Sequence, residues 1–265
     1  MANEFDFYST ESNILEKSKE KTGTLQNRLS QQIKSKERVA SRGEVFTAER
    51  EVKAMCDLVK DECERIDSRF LEPACGNGNF LAEILSRKLA VVTKKYAKNP
   101  IEWKKNSFIA VSSLYGIDIM SDNAAECRQR LFSLWEAQLL STAQLLSTAQ
   151  HKNSDEDLKK SIRFILSKNI CIGNALTLKT VDEAQKDTKN EIIFSEWSFI
   201  GDMLKRRDFS FNALVNQEYF KEAGSLFSDM ESESSEEDRE VFSPVKEFPL
   251  TGARSSPHPR TYHSP

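Results

Sequence analysis

The sequence has few of the residues on which several common chemistries depend. Its three histidines, His151, His258 and His263, all lie in polar stretches, so neither a buried histidine base nor a histidine-bound metal has an evident place. The five cysteines are odd in number and include no Cys-x-x-Cys pair, which indicates neither a disulfide framework nor a zinc module. We therefore predict no metal site.

A charge excess and long apolar runs are also missing. The 38 Lys and Arg residues nearly balance 41 Asp and Glu residues, for a net charge of -3, so any surface for nucleic acid must be a local patch. No apolar run approaches the ~20 residues that span a bilayer. The first ten residues lack the basic and apolar regions of a secretory signal. We predict a soluble, cytoplasmic protein without membrane contact.

The first 66 residues predict an N-terminal helical extension. Leu25, Leu29 and Ile33 form a partial apolar stripe at helical spacing. A second segment, Glu49 to Val59, repeats apolar residues with the same period. We assign residues 1–66 to this helical region.

Strand and helix patterns alternate over residues 67–225, which indicates an α/β domain with a parallel sheet. Phe70-Leu71 predicts the first strand, and Ile109 to Asp118 predicts the second. Ile170 to Leu176 and Ile192 to Phe199 predict the third and the fourth. A single long basic helix is expected between the first two strands.

The composition changes after residue 225. Between Ser228 and Glu240, seven acidic residues stand against one arginine, and Ser and Pro dominate the end of the chain. Such a segment has little apolar surface to bury. We predict that residues 226–265 form a disordered acidic tail.

A six-residue segment occurs twice in succession. Residues 139–144 and 145–150 both read Leu-Leu-Ser-Thr-Ala-Gln. Solenoid repeats have periods of ~20 residues or more, so this copy does not indicate a repeat fold. We interpret it as a small insertion that extends a helix.

A glycine-containing turn joins the first predicted strand to a helix. Gly76-Asn77-Gly78 would present backbone N–H groups at a helix N-terminus, where a ligand can approach closely. The third glycine of a dinucleotide-binding fingerprint would fall at Leu81, so that pattern is not met. Asp118 ends the second predicted strand and could accept hydrogen bonds from ribose hydroxyls or cap the next helix.

Four motifs in one order resemble those of the N6-adenine DNA methyltransferases of restriction–modification systems. The segment Glu72 to Leu81, Glu-Pro-Ala-Cys-Gly-Asn-Gly-Asn-Phe-Leu, closely resembles motif I. Gly43 to Ala48 resembles motif X, Tyr115 to Ile119 resembles motif II, and Ile172 to Leu176 resembles motif III. The order X, I, II, III is that of the gamma class. The resemblance implies a Rossmann-like, S-adenosylmethionine-dependent methyltransferase sheet.

The same resemblance implies a cofactor site for S-adenosylmethionine. Asp118 would take the ribose hydroxyls, and Ile119 would lie beside the adenine. Asn174 would face the adenine amino group in place of the family's Asp, and its carbonyl can also accept a hydrogen bond. The implied lining residues are Phe46, Thr47, Glu72, Ala74, Gly76, Gly78, Asp118, Ile119 and Asn174.

The catalytic motif of that family, Asn-Pro-Pro-Tyr, is missing. Its role is to hold the exocyclic amine and to stack an aromatic ring on the flipped base. None of the seven prolines is adjacent to another. The nearest segment, Asn216-Gln217-Glu218-Tyr219, keeps the outer two residues, so Asn216 and Tyr219 are the catalytic candidates.

The implied function is adenine-N6 methylation of double-stranded DNA, by a chain that is incomplete or inactive alone. Other restriction–modification subunits would then supply target recognition or catalysis. Two other functions stay open. One is a non-catalytic interaction subunit of a restriction or phage-defence complex, and the other is an RNA or protein methyltransferase.

Two basic clusters could contact DNA phosphates or could be ordinary solvated helix faces. The first consists of Lys34, Lys36, Arg38 and Arg42. The second, termed the basic cluster below, consists of Arg87, Lys88, Lys94, Lys95, Lys98, Lys104 and Lys105.

Overall fold

The computed structural model describes residues 33–145, 152–215 and 244–252. The helices are α1 (Lys36–Arg42), α2 (Glu49–Leu58), α3 (Lys60–Glu64), α4 (Asn79–Tyr96), α5 (Pro100–Ser112), α6 (Ser121–Leu145), α7 (Lys152–Asn169) and α8 (Phe211–Val215). The strands are β1 (Phe70–Glu72), β2 (Leu114–Asp118), β3 (Ile170–Asn174), β4 (Lys179–Val181), β5 (Asp187–Glu191), β6 (Ile193–Ile200), β7 (Met203–Ser210), β8 (Lys246–Glu247) and β9 (Thr251–Gly252). Among these residues, no helix is both long and apolar enough to cross a membrane.

The chain divides into two units, residues 1–51 and 52–265. In the first unit, the Ser35 hydroxyl accepts a hydrogen bond from the Arg38 backbone N–H and so caps α1. Gly43 ends this helix in the left-handed conformation, with φ 64°. The Arg38 guanidinium pairs with Glu44 at 2.6 Å. The predicted domain limits at residues 66 and 225 stay predictions, and most of the predicted acidic tail lies outside the described residues.

The larger sheet has the order β1-β2-β3-β4-β5. Its first three strands are parallel, and β4 and β5 extend it as antiparallel strands. The prediction that the segment Ile192 to Phe199 forms a fourth parallel strand of this sheet is wrong. β6 belongs to a second sheet, where it pairs antiparallel with β7 across the tight turn at Gly201 and Asp202. A connection of two residues permits only an antiparallel pair.

The two faces of the larger sheet are covered by different elements. Leu114 and Ile170 belong to a buried cluster that includes residues of helices α4 to α7. On the other face, Tyr115 and Ile117 belong to a second buried cluster with residues of β6, β7 and α8. The Tyr115 ring meets Phe194 of β6 edge-on, with centroids 5.3 Å apart. The sheet is therefore enclosed between helices and a β-hairpin.

Each parallel connection is made by two helices rather than one. The prediction of one long basic helix between the first two strands is wrong, because α4 ends at Tyr96 and a second helix, α5, begins at Pro100. The Asn99 side chain accepts from the Glu102 N–H and starts α5 there. Residues 109–111, predicted as part of a strand, belong to this helix, because short apolar runs do not distinguish a buried helix from a strand.

Hydrogen bonds between indole groups and hydroxyls join these helices. Trp103 Nε1 donates to Thr93 Oγ1, and Trp135 Nε1 donates to Ser107 Oγ, both at 3.1 Å. Helices α4 and α5 pack against each other, as do α6 and α7. The β1–β2 and β2–β3 crossovers are thus two helical hairpins.

The first copy of the duplicated segment lies on α6, the first helix of the second hairpin. Helix α6 continues to Leu145, so the first copy and the first residue of the second copy are helical. Leu139 is buried and Leu140 is exposed. Residues 146–150 lie outside the described residues, so the interpretation of the copy as an extension of a helix stays a prediction.

Lys88 is buried near the starts of β1 and β2, although its place in the sequence suggested a member of the basic cluster. Its ammonium donates to the carbonyls of Ile66 and Ser68 and, at 2.6 Å, to Ser113 Oγ. It also lies 5.1 Å from the centroid of the Phe70 ring. Burial lowers the pKa of Lys88 to about 7. A DNA contact by this residue is therefore excluded, and its role is to join the starts of β1 and β2.

We expect Lys88 to make stability depend on pH. Its folded pKa lies below the unfolded value of about 10.4, so the folded state binds fewer protons between these values and its free energy of unfolding rises with pH there. Buried thiols with raised pKa oppose this trend above about pH 8.5. Urea unfolding from about pH 7 to 8.5 should show a positive slope that Lys88→Met loses and the exposed control Lys95→Met keeps. Equal slopes in wild type and Lys88→Met would contradict the assignment.

Candidate functional site

The glycine turn follows β1 directly and leads into α4. The Cys75 N–H donates to the Ile117 carbonyl at 2.8 Å, which continues the contact between the first two strands beyond Glu72. Gly76 and Gly78 have φ values of 52° and 84°, the left-handed region that favours glycine. The turn therefore ends with backbone N–H groups at the start of an 18-residue helix.

Gly78 also has a packing reason to be glycine. A Cβ atom at this position would lie 2.6 Å from the Sγ atom of Cys127 on α6. Any side chain there would displace the helix or the turn, whether or not a ligand is bound. A substitution of Gly78 is consequently expected to change the stability of the fold, whatever its effect on cofactor binding.

The buried carboxylate of Asp118 ties the turn to the end of β2. Its Oδ2 accepts from the Gly76 N–H at 2.9 Å, and its Oδ1 accepts from the Met120 N–H at 2.8 Å. The Asn123 side chain donates to Oδ1 as well, at 3.3 Å. The carboxylate thus bonds to Met120, just before α6, and to the Asn123 side chain in the first turn of that helix. It also lies at the strand end where a ribose is expected from the sequence.

Glu72 and Asn77 are acceptors that lack strong donors. Burial raises the pKa of Glu72, and a backbone hydrogen bond at Ala74 partly opposes this. In the part of the chain that the structure describes, no ion pair includes Glu72, and the buried Oδ1 of Asn77 has no hydrogen-bond partner. A buried acceptor such as Asn77 Oδ1 is costly unless a ligand supplies a donor.

Glu72, Asp118 and Asn174 project from one face of the sheet. In the strand register Glu72 is opposite Gly116, and Asp118 is opposite Ile172. Side chains two residues apart in a strand share a face, so the three polar groups form a row at the carboxyl ends of β1, β2 and β3. Adjacent strands lie about 4.8 Å apart.

The Asn174 amide is already engaged within the chain. Its Oδ1 accepts from the Leu176 N–H at 3.0 Å, and its Nδ2 donates to Oδ1 of Asp187 at 3.2 Å. Its predicted contact with an adenine amino group stays a prediction. Asp187 was missed from the sequence because β5 reaches this position only through the antiparallel extension of the sheet.

The other predicted site residues fall in different places. Ile119 follows β2 and is half-buried, and Ala74 is exposed in the turn. Phe46 and Thr47 belong to the first unit, where the Lys34 ammonium lies 5.9 Å from the Phe46 ring centroid. Asn216 and Tyr219 lie outside the described residues. The assignment of these positions to a cofactor or to catalysis stays a prediction.

Cys75 has no features of a nucleophile. It is buried, and a hydrogen bond with the Cys127 thiol together with burial raises its pKa far above the ordinary thiol value. The described residues contain no cluster of three or more His, Cys, Asp and Glu side chains suited to a metal ion.

Gly78→Ala should destabilise the protein more than a glycine substitution that introduces backbone strain alone. Gly201 has φ 60°, and a Cβ added there would have no other atom within 4 Å, so Gly201→Ala should cost about 1–2 kcal/mol. Gly78→Ala adds the clash with Cys127 and should cost about 2–4 kcal/mol. Cys127→Ala in the Gly78→Ala background should recover part of the difference in urea unfolding. Equal costs at the two glycines would show that the contact with Cys127 is unimportant.

Comparison with known proteins agrees with the class expected from the motifs. Residues 47–219, more than half of the chain, match the family model described as MmeI, DNA-methyltransferase domain. No curated protein and no solved structure matches. The matched range includes the glycine turn and Asp118 and ends at Tyr219. The expectation of a restriction–modification DNA methyltransferase is confirmed at this level, whereas the gamma class and adenine specificity stay predictions. The chain belongs to the MmeI DNA-methyltransferase domain family.

Proposed function

We propose that this chain binds S-adenosylmethionine at the carboxyl ends of β1, β2 and β3. The observation that carries the proposal is the row of acceptors formed by Glu72, Asp118 and Asn174, with the unpartnered Oδ1 of Asn77 beside it. A ligand that suits this row carries positive charge at one end and hydroxyl and amino donors further along. S-adenosylmethionine has an ammonium and a sulfonium group, a ribose and an aminopurine in that order.

Each part of the row has a separate task in this proposal. Glu72 and Asn77 accept from the ammonium group, and the first backbone N–H groups of α4, which follow the glycine turn, face the carboxylate. Asp118 accepts from the ribose hydroxyls, and Ile119 lies against the adenine. Ala74, Gly76 and Gly78 line the methionine part. When bound, the cofactor supplies an activated methyl group on its sulfonium sulfur.

The proposed substrate is adenine N6 in double-stranded DNA. The family supports DNA as the class of substrate, and the adenine assignment rests on the resemblance of the four motifs. Asn216 and Tyr219 are the proposed contacts with the target base. They directly follow α8, whose Phe211 and Leu214 share a buried cluster with Ile117 of β2.

Only part of the basic cluster remains available to DNA. Arg87 pairs with Glu83 and Asp57, both at 2.8 Å. Lys105 lies over the Phe199 ring, 5.2 Å from its centroid. Three exposed lysines without an ion pair among the described residues remain: Lys94, Lys95 and Lys98.

These three lysines lie far from the glycine turn. The first two belong to the last turn of α4, where positive charge stabilises a helix end. At 1.5 Å per residue, they are about 24 Å along the helix from its start. We therefore propose that the phosphate contacts beside the cofactor site come mainly from other parts of the chain or from other subunits.

The cofactor proposal predicts a specific pH dependence. A cationic ligand prefers the ionised form of Glu72, so affinity should be full above the raised pKa of this carboxyl and should fall as the pH drops through it. Glu72→Gln should weaken binding about tenfold at pH 8 and abolish this dependence. Titration calorimetry between about pH 5 and 8 measures both effects.

The control for this experiment is Glu183→Gln, which removes an exposed carboxylate from the β4–β5 turn. It should bind S-adenosylmethionine like wild type at each pH. A wild-type protein that binds no cofactor would overturn the proposal. Equal binding by wild type and Glu72→Gln would remove Glu72 from it.

We expect the chain alone to methylate DNA poorly or not at all. Transfer requires the amine in line with the methyl group, and each proline of the usual motif fixes φ near -65°. Gln217 and Glu218 leave that loop without this restraint. Radiolabelled methyl transfer to unmethylated DNA, with and without candidate partner subunits, measures the activity. Strong methylation by the single chain, lost in Tyr219→Ala, would show that the variant loop is functional.

The missing prolines also support a second candidate, a non-catalytic interaction subunit. That function requires cofactor binding or DNA binding without transfer in any reconstituted complex. An RNA or protein methyltransferase would instead show transfer to those substrates and none to DNA. The same labelling experiment, with all three substrates, separates the alternatives.

A further inference from the structure

The outer edge of β7 is occupied by the last described segment of the chain, residues 244–252. The other edge of β7 pairs with β6 along the whole strand. On the outer edge, β7 pairs with β8 at Arg207 and Asp208 and with β9 at Met203 and Leu204. An open strand edge of this kind is a template for another extended chain. The segment therefore binds by adding short strands to the second sheet.

One aromatic ring anchors this segment. Phe248 is half-buried, whereas its neighbours Lys246, Glu247 and Pro249 are exposed. Its backbone N–H donates to the Arg206 carbonyl at 3.1 Å, and its ring centroid lies 4.1 Å from the carbon of the Arg206 guanidinium. A guanidinium over an aromatic face is a favourable contact. Phe248 therefore supplies the most buried contact of the segment with β7.

The surface that receives this ring is built by the rest of the domain. Both carboxylate oxygens of Asp208 accept from the Arg206 guanidinium at 2.8 Å. The ring centroids of Phe164 on α7 and Trp197 on β6 lie 5.3 and 5.4 Å from the guanidinium carbon. None of these partners belongs to the docked segment. The orientation of Arg206 therefore does not depend on the segment, and the site for Phe248 is preorganised.

The residues on either side of the ring define the ligand further. The Lys205 ammonium pairs with the Glu247 carboxylate at 2.7 Å. The register shifts at Pro249 and Leu250, where the segment has two residues opposite Lys205 alone. Proline has no N–H to donate, so it fits at such a bulge on an edge strand. The site therefore selects an acidic residue, an aromatic residue and a proline in succession.

These contacts do not restrict the segment to its own molecule. β8 and β9 have two residues each, and a strand pairing this short is easily broken. Residues 216–243 separate the segment from α8, and a chain of that length can extend to about 90 Å. The segment of a neighbouring molecule can therefore reach the same edge and make the same contacts. We infer that the β7 edge is a docking site for an extended Glu-Phe-Pro segment, and that it binds residues 247–249 of a second copy of this chain in exchange for its own.

Reversal of the Lys205–Glu247 ion pair tests this exchange. Lys205→Glu and Glu247→Lys each bring like charges together when the segment binds its own chain. In an equimolar mixture of the two variants, opposite charges meet at both sites when the chains exchange segments. Light scattering after size-exclusion chromatography should show at least about fivefold more dimer in the mixture than in either variant alone at the same total concentration. The double variant restores the pair within one chain and should stay monomeric like wild type, because its own segment has the higher effective concentration.

The controls lie in the same segment. Phe248→Ala in both members of the mixture should abolish the additional dimer, and Leu250→Ala, at a residue that is 44% exposed, should leave it unchanged. The side chains of Lys205 and Glu247 are 23% and 51% exposed, so each reversal keeps the fold. A mixture with no more dimer than the separate variants would overturn the inference. Dimer that persists with Phe248→Ala would overturn it as well, because another surface would then join the chains.

Discussion

The carboxylate of Asp118 holds together the part of the molecule on which the proposed function depends. It receives hydrogen bonds from the glycine turn after β1 and from the start of α6, and it belongs to the central strand of three parallel neighbours. These contacts fix the left-handed turn at Gly76 and Gly78 before any ligand is present. A turn fixed in this way loses little conformational entropy on binding, which is the physical basis of preorganisation.

The helices of the two crossovers cover one face of the sheet that carries the proposed site. Each connection contains two helices. The Trp103–Thr93 bond joins α5 to α4, and the Trp135–Ser107 bond joins α6 to α5, so the two pairs are also held to each other. At the other end of the strands, Lys88 joins the starts of β1 and β2 by donating hydrogen bonds to two backbone carbonyls and a serine hydroxyl. Positive charge that the sequence suggests for a DNA surface is therefore used in part for the interior and for ion pairs with acidic neighbours.

The proposed function separates two requirements of methyl transfer, cofactor binding and alignment of the target base. The proposed cofactor half of the site has the glycine turn, the Asp118 carboxylate and the unpartnered Oδ1 of Asn77. The half that must hold the target base lacks the two prolines that would restrict its backbone. Binding of the cofactor and alignment of the target base contribute separately to the rate of transfer. A protein of this family can therefore keep cofactor binding without that alignment.

Local features of the sequence determined the elements that depend on near neighbours. The glycine turn, the helix after it, the strand ending at Asp118 and the start of β3 were all predictable, because turn chemistry and apolar periodicity act over a few residues. The interruption at Pro100 was also encoded locally, by Asn99 and the proline, although the basic composition of the segment concealed it. Only the tertiary structure decided that Lys88 is buried, that Gly78 packs on Cys127, and that Asp187 reaches Asn174. Those contacts join residues 13 to 49 positions apart, or depend on which strands become neighbours, and strand pairing is set by the packing of the whole core rather than by any local pattern.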